Sequence, residues 1–403
     1  MTETILTQQA QVERGLIDRI LKDEPDWLGD LRRAAFMRYE ALPQPDEKTP
    51  GWRRLSLAGL DLRAPTPVPT SFEYWAAEDD LKRGLVVCSL ATALGTHEDA
   101  IREAIGMEHH GKSVGRYAAI AEAAWQNGIF VFAPEGFEAS EPIRIDVTAG
   151  TYPRVVIVAR AKSKLTIAET HRESERVSAG VVDVMCGEAS HVHYAHVQDC
   201  AKTSSVFSHQ RATMARDSKL VSLNFGIGGR LARTDVEVEL RGEGAESDML
   251  GLVFAEDQQE FDYRTLQGHR SPNTRSDLLF KAALDDRSHS SYTGVIIIDR
   301  GAQRSDAYQA NRNLLLGEGA RADTEPMLEI EADDVRCTHG ATVGPVDEEQ
   351  LFYAESRGLS PDQGARLIVE GFFQEVFQKF GRPSVTEPLS GMVAPHLERV
   401  GAS

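Results

Sequence analysis

At 403 residues, with 41% apolar and 26% charged side chains, the chain reads as a soluble globular protein of about two or three domains. Its formal charge of −18 opposes non-specific binding to nucleic acid or to an anionic membrane, because the phosphate field repels it. No run of about 20 apolar residues offers a membrane span.

The polar start, "MTETILTQQAQVERG", lacks the apolar segment of a secretion signal. Cys88, Cys186, Cys200 and Cys337 are far apart and form no C-x-x-C pair, so they read as reduced thiols. A cytoplasmic protein is the expectation.

Along the chain, Leu16, Ile17, Ile20 and Leu21 share one helical face, followed by Leu28, Leu31, Ala35 and Leu42. Pro43, Pro45 and Pro50 stop the pattern, and "APTPVPTSF" at 64–72 is a second extended connector. Between them, "GWRRLSLAGLDL" is strand-like at its end. "LVVCSL" predicts a strand, "HEDAIREAIG" and "YAAIAEAAW" helices, and "GIFVFAP" a strand.

From about 140 to 350, short apolar or alternating runs recur, among them "RVVIVAR", "KLTIAE", "GVVDVMC", "KLVSLNFG" and "GVIIID". Small polar turns separate them. Ser163, Ser190, Ser218 and Glu246 mark turns spaced 27, 28 and 28 residues, with wider steps to Ser288 and Arg321. A period of that size, built of short strands, fits one rung of a β-solenoid. A β-sandwich with coincidental spacing is the other reading.

The end is helical again. Ala365, Ile368, Val369, Phe372, Phe373, Val376, Phe377 and Phe380 keep helical spacing, and Ser360, Pro361 and Gln363 make a capping-box start. Gly381 and Pro383 end the helix. Such a phenylalanine stripe must pack on the protein or hold a partner. The expected layout is a helical region at 1–75, a mixed lead-in at 76–135, a β core at 136–358 and a helical region at 359–403.

Several stretches offer chemistry. "GMEHHGKS" at 106–113 satisfies the phosphate-loop spacing with Gly106, Gly111, Lys112 and Ser113, yet it follows a helical pattern rather than a strand. In "HVHYAHVQDC", His191 and His193 share a strand face while His196 points the other way. Two histidines need a further ligand from another rung to hold a metal; otherwise they form a polar ladder on an exposed face. Glu256, Asp257, Glu260 and Asp262 suit a glycan-cleaving solenoid or a solvated acidic surface. "DDVRCTHGATVG" at 333–344 puts Cys337 and His339 on one face of a strand, about 7 Å apart. That pair suits a soft metal or a sulfur-carrying site, or else a buried cysteine beside a capped histidine.

The long segment "DDVRCTHGATVGPVDEEQLFYAESRGLSPDQGARLIVEGFFQEVF" resembles the C-terminal signature of the SufB/SufD iron–sulfur assembly proteins. "YAAIAEAAWQNGIFVFAPEGFEASEPIRI" and the stretch from "RSDLLFKAALDD" to "EADDV" are similar to upstream blocks of that family, so the resemblance covers roughly 115–380. SufB types carry a cysteine directly after "FY", where this chain has Ala354, so the chain looks like the SufD type.

The resemblance implies a mainly β fold, a right-handed parallel β-helix flanked by N-terminal and C-terminal helical regions. It implies a non-enzymatic scaffold subunit working with SufB and the ATPase SufC, which supplies the ATP hydrolysis. Phe372, Phe373, Val376 and Phe377 would meet SufC. His339, with Cys337 beside it, would hold iron or a nascent iron–sulfur cluster shared with SufB, with no permanently bound cofactor. The isolated chain is also a candidate to pair with its own copy. Two other readings stand beside this one: a purely structural subunit of the same complex, and a solenoid glycan hydrolase or lyase.

Overall fold

The structure is a computed structural model and describes residues 15, 17, 20, 24–60, 62–106, 115–172 and 176–399. Helix α1 (Asp26–Ala41) leads through an extended connector to β1 (Ser71–Trp75). Then come α2 (Glu78–Lys82), β2 (Val86–Ser89), α3 (Leu90–Leu94), α4 (Glu98–Ile105) and α5 (Arg116–Ala124). The strands β3 (Gly128–Ala133), β4 (Ile143–Ala149), β5 (Arg154–Ala159), β6 (Lys164–His171), β7 (Val177–Cys186) and β8 (His191–Gln198) follow. The run continues with β9 (Ser205–Met214), β10 (Lys219–Gly226), β11 (Leu231–Leu240), β12 (Glu246–Ala255) and β13 (Glu260–His269). It ends with β14 (Arg275–Leu284), β15 (His289–Ile298), β16 (Asp306–Leu315), β17 (Arg321–Ile330) and β18 (Arg336–Pro345). Helices α6 (Glu348–Ser356), α7 (Pro361–Phe380) and α8 (Pro383–Leu397) close the chain.

The strands form two nine-stranded sheets, β1-β4-β6-β8-β10-β12-β14-β16-β18 and β17-β15-β13-β11-β9-β7-β5-β3-β2. From β3 onward successive strands alternate between the sheets, and the ladders are parallel apart from the antiparallel pairs β1–β4 and β2–β3. This is a β-solenoid flanked by helices. The parallel ladders exclude the sandwich, whose neighbouring strands run antiparallel.

Four of the solenoid's small turns, those at Ser163, Ser218, Ser288 and Ser305, share one construction. Lys162, Asp217, Asp286 and Arg304 take left-handed backbone conformations. The next or next-but-one hydroxyl closes each turn: Ser163 to the Arg160 carbonyl at 2.6 Å, Ser218 to Ala215 at 2.7 Å, Ser288 to Asp285 at 2.7 Å and Ser305 to Ala302 at 2.8 Å. Ser163, Ser190 and Ser218 precede strands of the first sheet, whereas Ser288 precedes and Arg321 begins a strand of the second. The wider late spacing therefore mixes two rows of turns.

Inward side chains of both sheets fill the lumen, including Ile145, Val155, Ile157, Ile167, Leu240, Phe261 and Leu278. The N-terminal helices cover the outer face of the second sheet through Phe36, Tyr39, Tyr117, Ile120, Phe130 and Phe207. Ile17 and Ile20 of the first expected helix are described, but Leu16 and Leu21 lie outside the described residues. "GWRRLSLAGLDL" forms turns rather than a strand, because Trp52 and Leu55 are drawn into the N-terminal core. No helix among the described residues is long and apolar enough to cross a membrane.

Helix α7 begins as expected: Ser360 Oγ accepts from the Gln363 N–H at 3.3 Å and Gln363 Oε1 accepts from the Ser360 N–H at 2.9 Å. Gly381 ends it in the left-handed region, φ 68°. Its apolar stripe lies on the outer face of the first sheet. Val369, Phe373, Val376, Phe377 and Phe380 pack against Val221, Leu223, Phe225, Leu252, Phe254 and Leu279. This corrects the assignment of Phe373, Val376 and Phe377 to a partner surface: burying them on the chain's own sheet leaves them nothing to offer outside. Phe372 is half-buried, with the Lys281 ammonium 4.3 Å over its ring.

Candidate functional site

β18 is the last strand of the first sheet and β17 the last of the second, so each is paired on one side only. Both lie at the same end of the solenoid. Here the inward columns run out of the protein. Leu328 and Ile330 continue the column of buried Ile296 and Ile298, yet are 36% and 41% exposed. Val343 on β18 is similarly bare. Unpaired strand groups beside apolar side chains form an edge that a soluble protein must cover or use.

Cys337 and His339 sit on this edge. The β16–β18 register pairs Cys337 with Ala307 and His339 with Gln309, so both extend inward-facing columns and share a face, as their spacing required. Cys337 is half-buried against the small cluster of Ile296, Ile298, Ala302 and Ala307. Burial, with the Asp306 carboxylate adding to it, pushes its thiol pKa up. At neutral pH the thiol is therefore protonated, and a bound cation would favour its ionised form. His339 is exposed. Beneath it Gln309 is 1% exposed, and neither of its amide atoms has a hydrogen-bond partner. Sequence reasoning missed Gln309, since a single glutamine in a strand carries no signal of its depth. Chemically the edge offers an imidazole, a thiol and a buried amide, too few donors to close a metal site alone.

The other candidates resolve differently. His191 is exposed, and His193 lies edge-on to Phe380, ring centroids 5.6 Å apart, under α7. That is not an exposed polar ladder. His196, facing the other way, is buried in the lumen. Of the acids of 256–262 only Asp257 is exposed; the other three are buried and paired. Glu256 pairs with Arg399 at 2.6 Å, Glu260 accepts from His289 Nδ1 at 2.7 Å, and buried Asp262 meets Arg233 at 3.3 Å. Gly106 follows α4, and Gly111, Lys112 and Ser113 lie outside the described residues. Ala354 is buried on α6, where it backs onto Gly364 of α7. Phe352 and Tyr353 beside it are 73% and 60% exposed.

A family model described as "SUF system FeS cluster assembly, SufBD core domain" matches residues 143–372. The chain is 32% identical over 295 residues to an iron–sulfur cluster assembly SufBD family protein of Mycobacterium leprae, covering 70% of this chain and 75% of that one. A SufBD family protein of Mycobacterium tuberculosis is 31% identical over 296 residues, 70% of this chain and 74% of that one. The iron–sulfur cluster assembly protein SufD of Escherichia coli is 33% identical over 190 residues, 47% of this chain and 45% of that protein.

Proposed function

Because the chain belongs to the SufBD family of the SUF iron–sulfur cluster assembly system, we propose that it is the SufD-type scaffold subunit of a cytoplasmic complex with SufB and the ATPase SufC. One observation carries this reading: Cys337 and His339 stand on the inward face of the terminal strand β18, at an open solenoid end. A SufB solenoid end seated there covers Leu328, Ile330 and Val343 and brings the missing ligands. Ala354, in place of the SufB-type cysteine, fits a site that is half of a shared one.

Iron, or the growing cluster, is the cargo. An imidazole nitrogen of His339 coordinates iron, and the Cys337 thiol gives up its proton when the cation arrives, becoming a sulfur ligand. The chain itself hydrolyses nothing; SufC does. SufC docks on the C-terminal helical region through its exposed side chains, Phe352 and Tyr353 on α6 and Leu367 on α7. ATP-driven movement of SufC shifts this region and strains the open end.

The test is co-expression with SufB and SufC, followed by iron and sulfide analysis of the purified complex. His339→Ala is expected to leave the complex intact while lowering its iron. Unchanged iron would overturn the ligand role and favour a purely structural subunit.

A further inference from the structure

A second cluster of donors lies inside the solenoid, near its first rungs. Inward positions of β6 and β8 pair Glu169 with His196 and His171 with Gln198. One carboxylate oxygen and two imidazole nitrogens, from Glu169, His171 and His196, lie within 4.8 Å of one another, and all three residues are buried. His171 Nε2 and Glu169 Oε1 are 2.6 Å apart, the Tyr194 hydroxyl donates to Glu169 Oε2 at 2.7 Å, and the two imidazole rings are 4.8 Å apart. Gln198 is 3% exposed, and neither atom of its amide has a hydrogen-bond partner. Ser208 Oγ lies 3.4 Å from His196 Nε2.

We propose that Glu169, His171 and His196 bind one divalent first-row transition ion, zinc or ferrous iron, inside the solenoid, with the Gln198 amide oxygen as fourth donor. Two imidazoles and a carboxylate are the ligand set such ions prefer, and it is too nitrogen-rich for magnesium or calcium. A hydrogen-bonded network alone accounts for Glu169 and Tyr194 but leaves a buried amide unsatisfied, which proteins rarely tolerate. A metal–donor distance of about 2.0–2.1 Å puts tetrahedral donors roughly 3.4 Å apart. Accommodating the ion therefore opens the His171–Glu169 contact and draws the widest pair together. As the ion enters, His171 Nε2 gives up any proton it shares with Glu169, to Nδ1 if the ring is neutral or to solvent if it is protonated. The two strands belong to adjacent rungs, so the ion clamps one turn of the solenoid to the next. Tyr194 holds the carboxylate in place, as outer-shell partners of metal ligands do.

The test uses the full chain carrying Cys337→Ser and His339→Ala, so that the open-end site contributes nothing and the two readings fail separately. The protein is expressed in zinc-supplemented medium, passed over a chelating resin and assayed for all first-row metals. The expected result is about one ion per chain, with X-ray absorption showing imidazole scattering and no sulfur. Adding Glu169→Gln or His196→Gln should lower the content at least tenfold while far-ultraviolet circular dichroism is unchanged. A parent protein without retained metal overturns the proposal, and so does a sulfur ligand or full retention in either folded variant. Should a variant fail to fold, the content and absorption spectrum of the parent decide alone.

Discussion

Gln309 and His339 lie opposite each other across the β16–β18 ladder, the first 1% exposed and the second open to solvent. The pairing places a buried, unpartnered amide at the floor of the open end. Replacing it with a similar-sized apolar side chain removes a desolvation cost of about 1–3 kcal/mol. Gln309→Leu is therefore expected to raise the midpoint of chemical denaturation. If the amide also steadies His339 or its cargo, iron retained by the assembled complex falls in the same variant. A lowered midpoint would show that Gln309 is satisfied in solution.

Gly251 answers a different packing demand. A Cβ built there would lie 2.2 Å from the Phe280 ring on the next strand of its sheet, so the phenylalanine fills the space that the glycine leaves. Gly251→Ala should cost about 1–3 kcal/mol through overpacking, read as a shift in denaturation midpoint with unchanged slope.

Beneath α5, the buried guanidinium groups of Arg154 and Arg211 both pair with Asp183, Arg211 at 2.7 Å, and Arg211 also reaches Glu122 on the helix at 2.5 Å. Removing the central anion strands Arg154 and leaves Arg211 with Glu122 alone. Asp183→Ala is expected to destabilise the protein by about 3–5 kcal/mol, measured by urea unfolding.

Glu256 ties the C-terminal end to the solenoid through Arg399 at 2.6 Å and His396 at 3.2 Å, and also pairs with Lys202 of the solenoid itself. Burial pushes its pKa up, but hydrogen bonds from His396 and Lys202 outweigh this and hold it at about 2, below the usual 4.5. A depressed folded pKa means the unfolded chain binds the extra proton. The stabilisation is therefore complete above about pH 4.5 and is lost as pH falls towards 2. Its ceiling is about 3 kcal/mol. In acid titrations, Glu256→Gln should be less stable than the parent at neutral pH, and the gap should close across that window.

Under the proposed docking of SufC, the outward face of the C-terminal helices serves binding and the inward face serves folding. Phe352→Asp, at a 73% exposed position, should change stability by no more than about 0.5 kcal/mol yet weaken SufC binding at least tenfold in calorimetry. Phe377→Asp, buried on the first sheet, should instead lower stability by more than about 3 kcal/mol. Equal SufC affinity for Phe352→Asp and the parent would remove α6 from the docking surface.

The sequence by itself determined the repeat, the strand character of the middle and the ends of α7. Those features are local: a left-handed turn residue with a closing hydroxyl, alternation of period two, and a cap. It also placed Cys337 and His339 on one face, since two residues along a strand always share one. Depth and rung-to-rung neighbours were decided by the tertiary structure. The stripe of α7 reads the same whether it meets the chain's own sheet or another protein, and only the packing onto Phe225, Leu252 and Phe254 settles that it faces inward. Glu256, Glu260 and Asp262 look like part of a solvated surface until Arg399, His289 and Arg233 arrive from distant positions. Glu169 and His196 stand apart by the same 27-residue step as Ser163 and Ser190, so the repeat already contained their alignment. That both point into a closed lumen follows from the winding of the solenoid, because the parity of a strand gives two faces and only the fold says which is inside.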